Sequence, residues 1–170
     1  MDRRYYLLVV SDRVPLGWIL SQQRTAFPAH RSRVADQLQV GDKLVVYTTR
    51  GCFHNPTRDR GRVVAEAELT TKALTLVPPV RFGEREFTRG CGLRIDRVAP
   101  LDSGPILADL AGQLHGFPTS WATHIRRTLV PLAERDFALL QEALAGVAVP
   151  RREALQGYLD RAKMGGKRYC

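Results

Sequence analysis

The residues best suited to hold a ligand follow one apolar strand. Residues 44–47 are a β-branched and aromatic run introduced by the turn pair Gly41-Asp42. Thr48, Thr49 and Arg50 come directly after this run, so two hydroxyls and a guanidinium stand where a buried strand would reach the surface. Because small ligands are often held at such strand ends, we expect a binding site here.

Cys52 and His54, just beyond these residues, are the side chains with the greatest catalytic potential. Two residues apart on a strand, they would share one face and could act as nucleophile and base. Together with Cys91 they could also offer three metal ligands, but zinc sites usually show tighter paired spacings. A reactive thiol also needs an activating environment, so we interpret Cys52 as a packing residue and expect no metal.

Motifs of the common enzyme classes are absent from the sequence. There is no G-x-S-x-G elbow, no H-E-x-x-H zinc motif, no Walker loop and no dinucleotide fingerprint. Gly165-Gly166-Lys167 imitates the end of a phosphate loop but lacks the following Ser or Thr, the upstream Gly and a preceding strand. The sequence therefore predicts no catalytic residue and no cofactor.

The charge of the chain makes nucleic acid a candidate partner. The formal net charge is +9, and 22 of the 26 basic residues are Arg, the side chain suited to phosphate and to stacking on rings. An Arg-rich composition can equally reflect genome base composition and solubility, so charge alone does not decide.

The cysteine set predicts a reducing compartment. Cys52, Cys91 and Cys170 form an odd set without short paired spacing, which disfavours a disulfide scaffold and predicts a cytoplasmic protein. The apolar run of residues 5–10 is too short for a signal peptide or a membrane span, so we expect no membrane partner.

The pattern of apolar residues predicts one domain, residues 1–148, followed by a basic helical appendage or tail, residues 149–170. Residues 5–10 read as a central strand buried on both faces, and residues 61–69 as a half-exposed strand antiparallel to residues 44–47. Further strands are expected near 74–77 and 87–98, helices near 14–19, 31–39, 103–114, 133–144 and beyond 150, and residues 121–132 fit either type.

Four segments in this order resemble one known family. They are residues 5–11 followed by Val14 and Gly17, residues 40–48, residues 61–64, and residues 121–132 followed by 134–137. The second resembles a "G-D-x-hydrophobic-hydrophobic-Y" strand and the third a "G-R-V" strand, and the last contains a Trp and a basic run before "D-F". Together they resemble the EVE domain family of the PUA-like superfamily, which also contains the YTH and ASCH domains. The sequence differs from the family pattern at Thr128, where Gly is common, and at Thr49, where Pro is frequent.

The resemblance implies an α+β, PUA-like fold, with a mostly antiparallel, barrel-like sheet flanked by short helices. It also implies a nucleic-acid-binding module for DNA or RNA, in which a concave pocket recognises a modified or flipped base without chemistry of its own. Such a pocket needs an aromatic wall, groups that bond the base edge, and a basic rim for phosphates. The candidates for base contact are Ser11, Trp18, Tyr47, Thr48, Thr49, Phe53 and Trp121. The candidates for the phosphate rim are Arg50, Arg62, Arg126 and Arg127.

Several candidates also have a purely structural interpretation. Tyr47 belongs to an apolar strand, so its side chain is also expected in the core. The large rings of Trp18 and Trp121 could lie at the edge of the core as well as in a pocket. Ser11 could serve only as the cap of the helix that follows it.

Two other functions remain open from the sequence. One is an enzyme that acts on nucleotides or RNA, with Cys52, His54 or His124 in the chemistry. The other is a small-metabolite or protein-interaction domain, which an apolar pocket without aromatic walls would indicate.

Overall fold

The computed structural model describes residues 2–117, 121–125 and 127–163, apart from the side chains of Ser32 and His124. The strands are β1 (Tyr5–Val10), β2 (Phe27–Pro28), β3 (Lys43–Thr48), β4 (Arg62–Leu69), β5 (Leu74–Phe82), β6 (Arg85–Gly90), β7 (Leu93–Arg94), β8 (Arg97–Val98), β9 (Leu129–Leu132) and β10 (Val149–Pro150). The α-helices are α1 (Arg13–Gln22), α2 (Leu107–Leu110), α3 (Trp121–His124), α4 (Glu134–Ala145) and α5 (Arg151–Lys163). Ala29–Gln37 and Ala111–Gln113 form 3₁₀ turns.

A main sheet with the strand order β10-β8-β4-β3-β1-β9 organises the molecule, and β7 pairs with β4 beside that path. β1 and β3 are parallel, whereas β1 with β9 and β3 with β4 are antiparallel. A second sheet has the order β2-β6-β5. The α+β class and the mostly antiparallel sheet predicted from the sequence are confirmed. Within the described residues the end strands β10 and β9 are not paired with each other.

The main sheet is buried on both faces, which explains the unbroken apolar sequence of its central strands. Tyr6, Leu8 and Val10 belong to one core cluster, which extends to α1 and α5. Leu7 lies in the second cluster, together with residues of α4. β1 is therefore a central strand, as predicted.

The segment after residue 148 packs into the core and is not a separate appendage. β10 pairs with β8, and α5 packs against α1, where a side chain at Gly17 would stand 3.4 Å from the Cβ of Ala162. Tyr158 is 1% exposed, and its hydroxyl donates a hydrogen bond to the carbonyl of Ala99 at 2.6 Å. The expected appendage is thus, over Arg151–Lys163, a layer of the same fold; residues 164–170 lie outside the described part.

Three local predictions differ from the structure. The strand expected over 87–98 is divided into β6, which pairs with β5 in the second sheet, and the short strands β7 and β8, which both pair with β4 in the main sheet. The helix expected over 103–114 is reduced to α2 and a 3₁₀ turn. Residues 31–39, expected as a helix, belong mostly to a 3₁₀ segment that already begins at Ala29, without a side-chain cap. Short-range periodicity cannot detect the division of the strand, because the change from the second sheet to the main sheet decides it.

No helix among the described residues is long and apolar enough to cross a membrane.

Candidate functional site

Strand direction brings distant parts of the sequence to one edge of the main sheet. Because β1 and β3 are parallel, Ser11 after β1 and Thr49 after β3 emerge at the same edge. β9 runs antiparallel to β1, so Thr128, which precedes β9, reaches that edge as well. Backbone hydrogen bonds hold the three chain segments together, from Thr49 to Val10 at 3.1 Å and from Val9 to Thr128 at 2.8 Å.

A cavity of about 410 Å³ opens at this edge. We call it the edge cavity. Its lining residues are Val9, Ser11, Arg31, Tyr47, Thr49, Arg50, Gly51, Trp121, Ala122, Ile125, Arg127 and Thr128. The volume lies within the usual range of small-molecule sites.

Two aromatic rings line the edge cavity. Tyr47 is 3% exposed and sits opposite Val9 in the β1–β3 register. Tyr47 is both a core residue and a wall of the cavity, so the predicted core position and the predicted ligand contact are compatible. Trp121, at the start of α3, is half-buried against the core cluster that also contains Tyr47. The two rings provide surface on which a flat ligand could stack.

The hydroxyl of Tyr47 is neutral at physiological pH. Burial raises its pKa to about 12, while the nearby charge of Arg50 acts in the opposite direction. A neutral phenol can both donate and accept a hydrogen bond. Tyr47 therefore adds a polar atom to the wall without adding a charge.

Three aliphatic hydroxyls lie around the same cavity. Ser11, Thr49 and Thr128 each stand next to the end of a different strand of the main sheet. Ser11 does not cap α1: the N-cap is Asp12, whose carboxylate accepts a hydrogen bond from the backbone N–H of Val14 at 3.3 Å. Ser11 thus does not cap the helix, and it lines the edge cavity.

Three exposed arginines complete the lining. The guanidinium of Arg31 donates a hydrogen bond to Thr128 Oγ1 at 3.1 Å, and that of Arg50 donates one to the carbonyl of Pro56 at 3.0 Å. Arg127 lies between Trp121 and Thr128 in the chain and is exposed. Such side chains can bind phosphate through two parallel N–H donors.

Four of the candidates from the sequence lie away from the edge cavity. Trp18 contacts Phe82 edge to face at 5.7 Å, and Phe53 lies under the guanidinium of Arg161 at 5.3 Å. Thr48 is 1% exposed, and as the neighbour of Tyr47 in β3 it points to the opposite face of the sheet. Arg62 donates a hydrogen bond to the carbonyl of Gly104 at 2.7 Å. A fifth candidate, Arg126, lies outside the described residues.

The edge cavity also contains residues that the sequence analysis did not single out as contacts. Val9, Arg31, Gly51, Ala122, Ile125 and Thr128 belong to this set. Thr128 could have been found from its position before an apolar strand, once that strand was paired antiparallel with β1. No local signal identifies Arg31, because it reaches the cavity from a 3₁₀ segment distant in sequence.

Cys52 and His54, two of the residues weighed for catalysis, do not form a reactive pair. Cys52 is fully buried, and desolvation raises the pKa of its thiol, so the nucleophilic thiolate is disfavoured at neutral pH. His54 Nε2 lies 3.4 Å from Asp12 Oδ1 at the surface. The side chain of His124 is outside the described set. Within the described part of the chain, no cluster of His, Cys, Asp and Glu side chains could hold a metal ion.

No family model and no curated protein matches this sequence. Solved structures do match its fold. A hypothetical protein from Leishmania major aligns with a TM-score of 0.56 and 17% identity, over 85% of this chain and 96% of the other. Human THYN1, solved in complex with 5-methylcytosine-containing DNA, aligns with a TM-score of 0.53 and 12% identity, over 82% and 97%.

The YTH domain of Zygosaccharomyces rouxii MRB1, solved in complex with N6-methyladenosine RNA, aligns with a TM-score of 0.57 and 12% identity, over 86% of this chain and 89% of that domain. At such low identity these similarities establish the architecture. They confirm the fold that the resemblance to EVE domains predicted, which is the PUA-like fold shared with YTH domains.

Proposed function

We propose that the protein is a nucleic-acid-binding module that recognises a modified or flipped base in the edge cavity and performs no chemistry of its own. The observation that carries the proposal is the composition of that cavity, which combines aromatic walls, hydroxyls and unneutralised arginines at one sheet edge. Aromatic walls stack on a base, hydroxyls bond its edge, and guanidiniums bind the adjoining phosphates.

The complexes of similar folds support this assignment. Human THYN1 and the Z. rouxii YTH domain were solved with nucleic acids that carry a methylated base, one a DNA and the other an RNA. We extend that class of ligand to this chain. The ligand is either DNA or RNA, and binding of matched strands of both kinds distinguishes them.

The burial of Cys52, the potential nucleophile, favours a base-reading module over an enzyme. Cys52 is buried, and its thiol pKa is raised. A small-metabolite site is less favoured, because the edge cavity has the aromatic walls that such a site was expected to lack. For the location of the protein we keep the cytoplasmic prediction, which the two buried free cysteines, Cys52 and Cys91, support.

Binding of matched oligonucleotides tests the proposal. Fluorescence anisotropy would compare single- and double-stranded DNA and RNA of one sequence, with and without 5-methylcytosine or N6-methyladenine, over a range of salt concentrations. We expect tighter binding of at least one modified strand and a steep loss of affinity with salt, because bound phosphates release counterions. Equal affinity for all modified and unmodified strands, independent of salt, would contradict the proposal.

Two matched pairs of variants connect binding to the edge cavity. Trp121→Ala should weaken binding of the preferred strand by about 1–3 kcal/mol, the usual contribution of a stacked base, whereas Trp18→Ala should not. Arg127→Gln should reduce the slope of log affinity against log salt by about 1, whereas Arg81→Gln, whose guanidinium is paired with Glu86 at 2.9 Å, should leave it unchanged. Circular dichroism would verify that each variant is folded.

A further inference from the structure

We infer that the edge cavity selects its base by charge: it accepts uncharged and anionic bases and rejects bases that are cationic at neutral pH. The inference rests on the proposed function and specifies its substrate class. Bases methylated on a ring nitrogen of the Watson–Crick edge, such as 1-methyladenine and 3-methylcytosine, are cationic at neutral pH. Their isomers N6-methyladenine and 5-methylcytosine are neutral.

The first argument is the sign of the charges that line the edge cavity. Its charged side chains are Arg31, Arg50 and Arg127, and its other lining residues are hydroxylic, aromatic or apolar. Tyr47 contributes a neutral phenol, because its pKa is raised to about 12. A ligand in this space therefore meets positive charge and no negative charge from the described lining.

The second argument is that these positive charges are not neutralised by neighbours. The partners of Arg31 and Arg50 are a hydroxyl and a carbonyl, which carry no charge. Elsewhere in the described structure, Arg58, Arg60, Arg81, Arg94 and Arg161 each have a carboxylate within ion-pair distance. No described carboxylate reaches such a distance from any of the three lining arginines.

The third argument comes from the sequence around the edge cavity. Its lining residues fall mostly in three stretches without any Asp or Glu, residues 13–35, 43–58 and 110–133. The whole stretch of residues 110–133, which contains the lining residues Trp121 to Thr128, therefore has no acidic residue in its sequence. Asp12, the carboxylate nearest in sequence to Ser11, is engaged by the N–H of Val14 and by His54.

These features oppose the binding of a cationic base. An aromatic wall attracts a cation as well as a neutral ring, but the attraction of Tyr47 and Trp121 is countered by repulsion from three guanidiniums. A neutral base avoids the repulsion, and its phosphates gain from the same arginines. A base with an anionic substituent, such as 5-carboxylcytosine, gains directly.

The test uses isomer pairs that differ in charge. Single strands of one sequence would carry either 1-methyladenine or N6-methyladenine at one position, and a second pair either 3-methylcytosine or 5-methylcytosine. For every pair in which a modified strand binds better than the unmodified strand, we expect the cationic isomer to bind at least about tenfold more weakly than the neutral one at low salt. The difference should shrink as salt is added, because screening weakens the repulsion.

Charge variants separate repulsion from shape. Thr49→Asp places a carboxylate beside the wall and Arg127→Gln removes one guanidinium, so each should reduce the ratio between neutral and cationic isomers by about threefold or more, while Arg81→Gln should leave that ratio unchanged. If the cavity discriminates by shape alone, no variant will change the ratio.

The outcomes also distinguish this inference from the proposed function. Equal or tighter binding of a cationic isomer overturns charge selection and leaves the reader function intact. A ratio that no charge variant alters also overturns it. If all modified and unmodified strands bind with equal affinity, independent of salt, the proposed function fails, and charge selection fails with it.

Discussion

Gly61 leaves the space that the ring of Tyr47 occupies, because it has no Cβ. A Cβ at Gly61 would stand 2.0 Å from the Tyr47 hydroxyl oxygen and 2.7 Å from the ring carbon that carries it, far inside van der Waals contact. The backbone on either side is fixed by hydrogen bonds, from Leu107 to the Gly61 carbonyl at 3.0 Å and from Val63 to the Pro105 carbonyl at 2.9 Å. The "G-R-V" glycine is therefore needed so that the aromatic wall of the edge cavity can pack.

Gly61→Ala should accordingly affect both stability and binding. Because the Tyr47 ring is buried, the new methyl group must displace it within the core, at a cost of about 1–3 kcal/mol in the free energy of unfolding and with loss of affinity for the preferred oligonucleotide. Urea denaturation and anisotropy would measure the two effects. Gly112→Ala is the matched control, since a Cβ there meets nothing within 4 Å. An unchanged affinity in Gly61→Ala would show that the position of this ring does not matter for binding.

The end of β3 determines which of the predicted contact residues lie at the edge cavity. Thr49 and Arg50 follow the last residue of β3 and lie at the cavity, as their position after an apolar run suggested. Thr48 belongs to the strand itself, and its hydroxyl lies 3.4 Å from the carbonyl of Arg62. Sequence alone could not separate the two threonines, because the decision depends on the residue at which β3 ends.

At the level of the secondary-structure elements, the edge cavity depends on strand pairing, which local sequence patterns could not predict. The strands β1 and β3 were recognisable by their apolar runs, but nothing in either run states that they pair in parallel. That pairing brings Ser11 and Thr49 to one edge. Residues 121–132, which fitted helix and strand equally, contain both: α3 carries Trp121, and β9 completes the edge of the sheet.

The helix α5 was predicted as an element but not as part of the core, because its apolar stripe does not identify the surface that covers it. The Tyr158 hydroxyl bonds the Ala99 carbonyl inside the protein at 2.6 Å, whereas the Tyr5 hydroxyl lies 3.4 Å from Glu134 Oε1 at the surface. Tyr158→Phe keeps the ring and leaves a buried carbonyl without its donor. We expect it to lower the free energy of unfolding by about 1–3 kcal/mol.

Tyr5→Phe is the control for this substitution, since an exposed hydroxyl can be replaced by water. It should change stability by less than about 0.5 kcal/mol. Denaturant unfolding followed by circular dichroism would compare both variants with the parent protein. Equal stability of Tyr158→Phe and the parent protein would mean that α5 is only loosely attached.

At the scale of the whole molecule, the chain carries a net charge of +9, and ion pairs match only part of its arginines. Many arginines away from the edge cavity are matched with a carboxylate, as Arg94 is with Glu68 at 2.6 Å. No described carboxylate lies within ion-pair distance of Arg31, Arg50 or Arg127, so their charge is available where a ligand would bind. The composition predicted a negatively charged partner, but the presence of unpaired arginines at the cavity could be seen only in the folded structure.

The buried cysteines and tyrosines should make the whole fold sensitive to alkaline pH. Burial raises the pKa of Tyr47 from 10.0 to about 12, and it also raises the pKa values of Tyr158, Cys52 and Cys91. The unfolded chain therefore releases these protons at lower pH than the folded protein does. Below pH 9.0, the ordinary value for cysteine, the four groups favour the folded state fully, and above it their contribution is progressively lost.

We expect the free energy of unfolding to fall as pH rises from about 9, by up to about 1.4 kcal/mol per pH unit for each group that titrates only in the unfolded state. For Tyr47, the fall begins near 10.0 and ends near its folded pKa of about 12. Urea denaturation in reducing buffer at a series of pH values would measure the slope. Tyr47→Phe and Cys52→Ala should each make the slope shallower in the range where the removed group titrates, whatever they do to stability at neutral pH. A stability that stays constant or rises up to pH about 11 would contradict the burial of these groups.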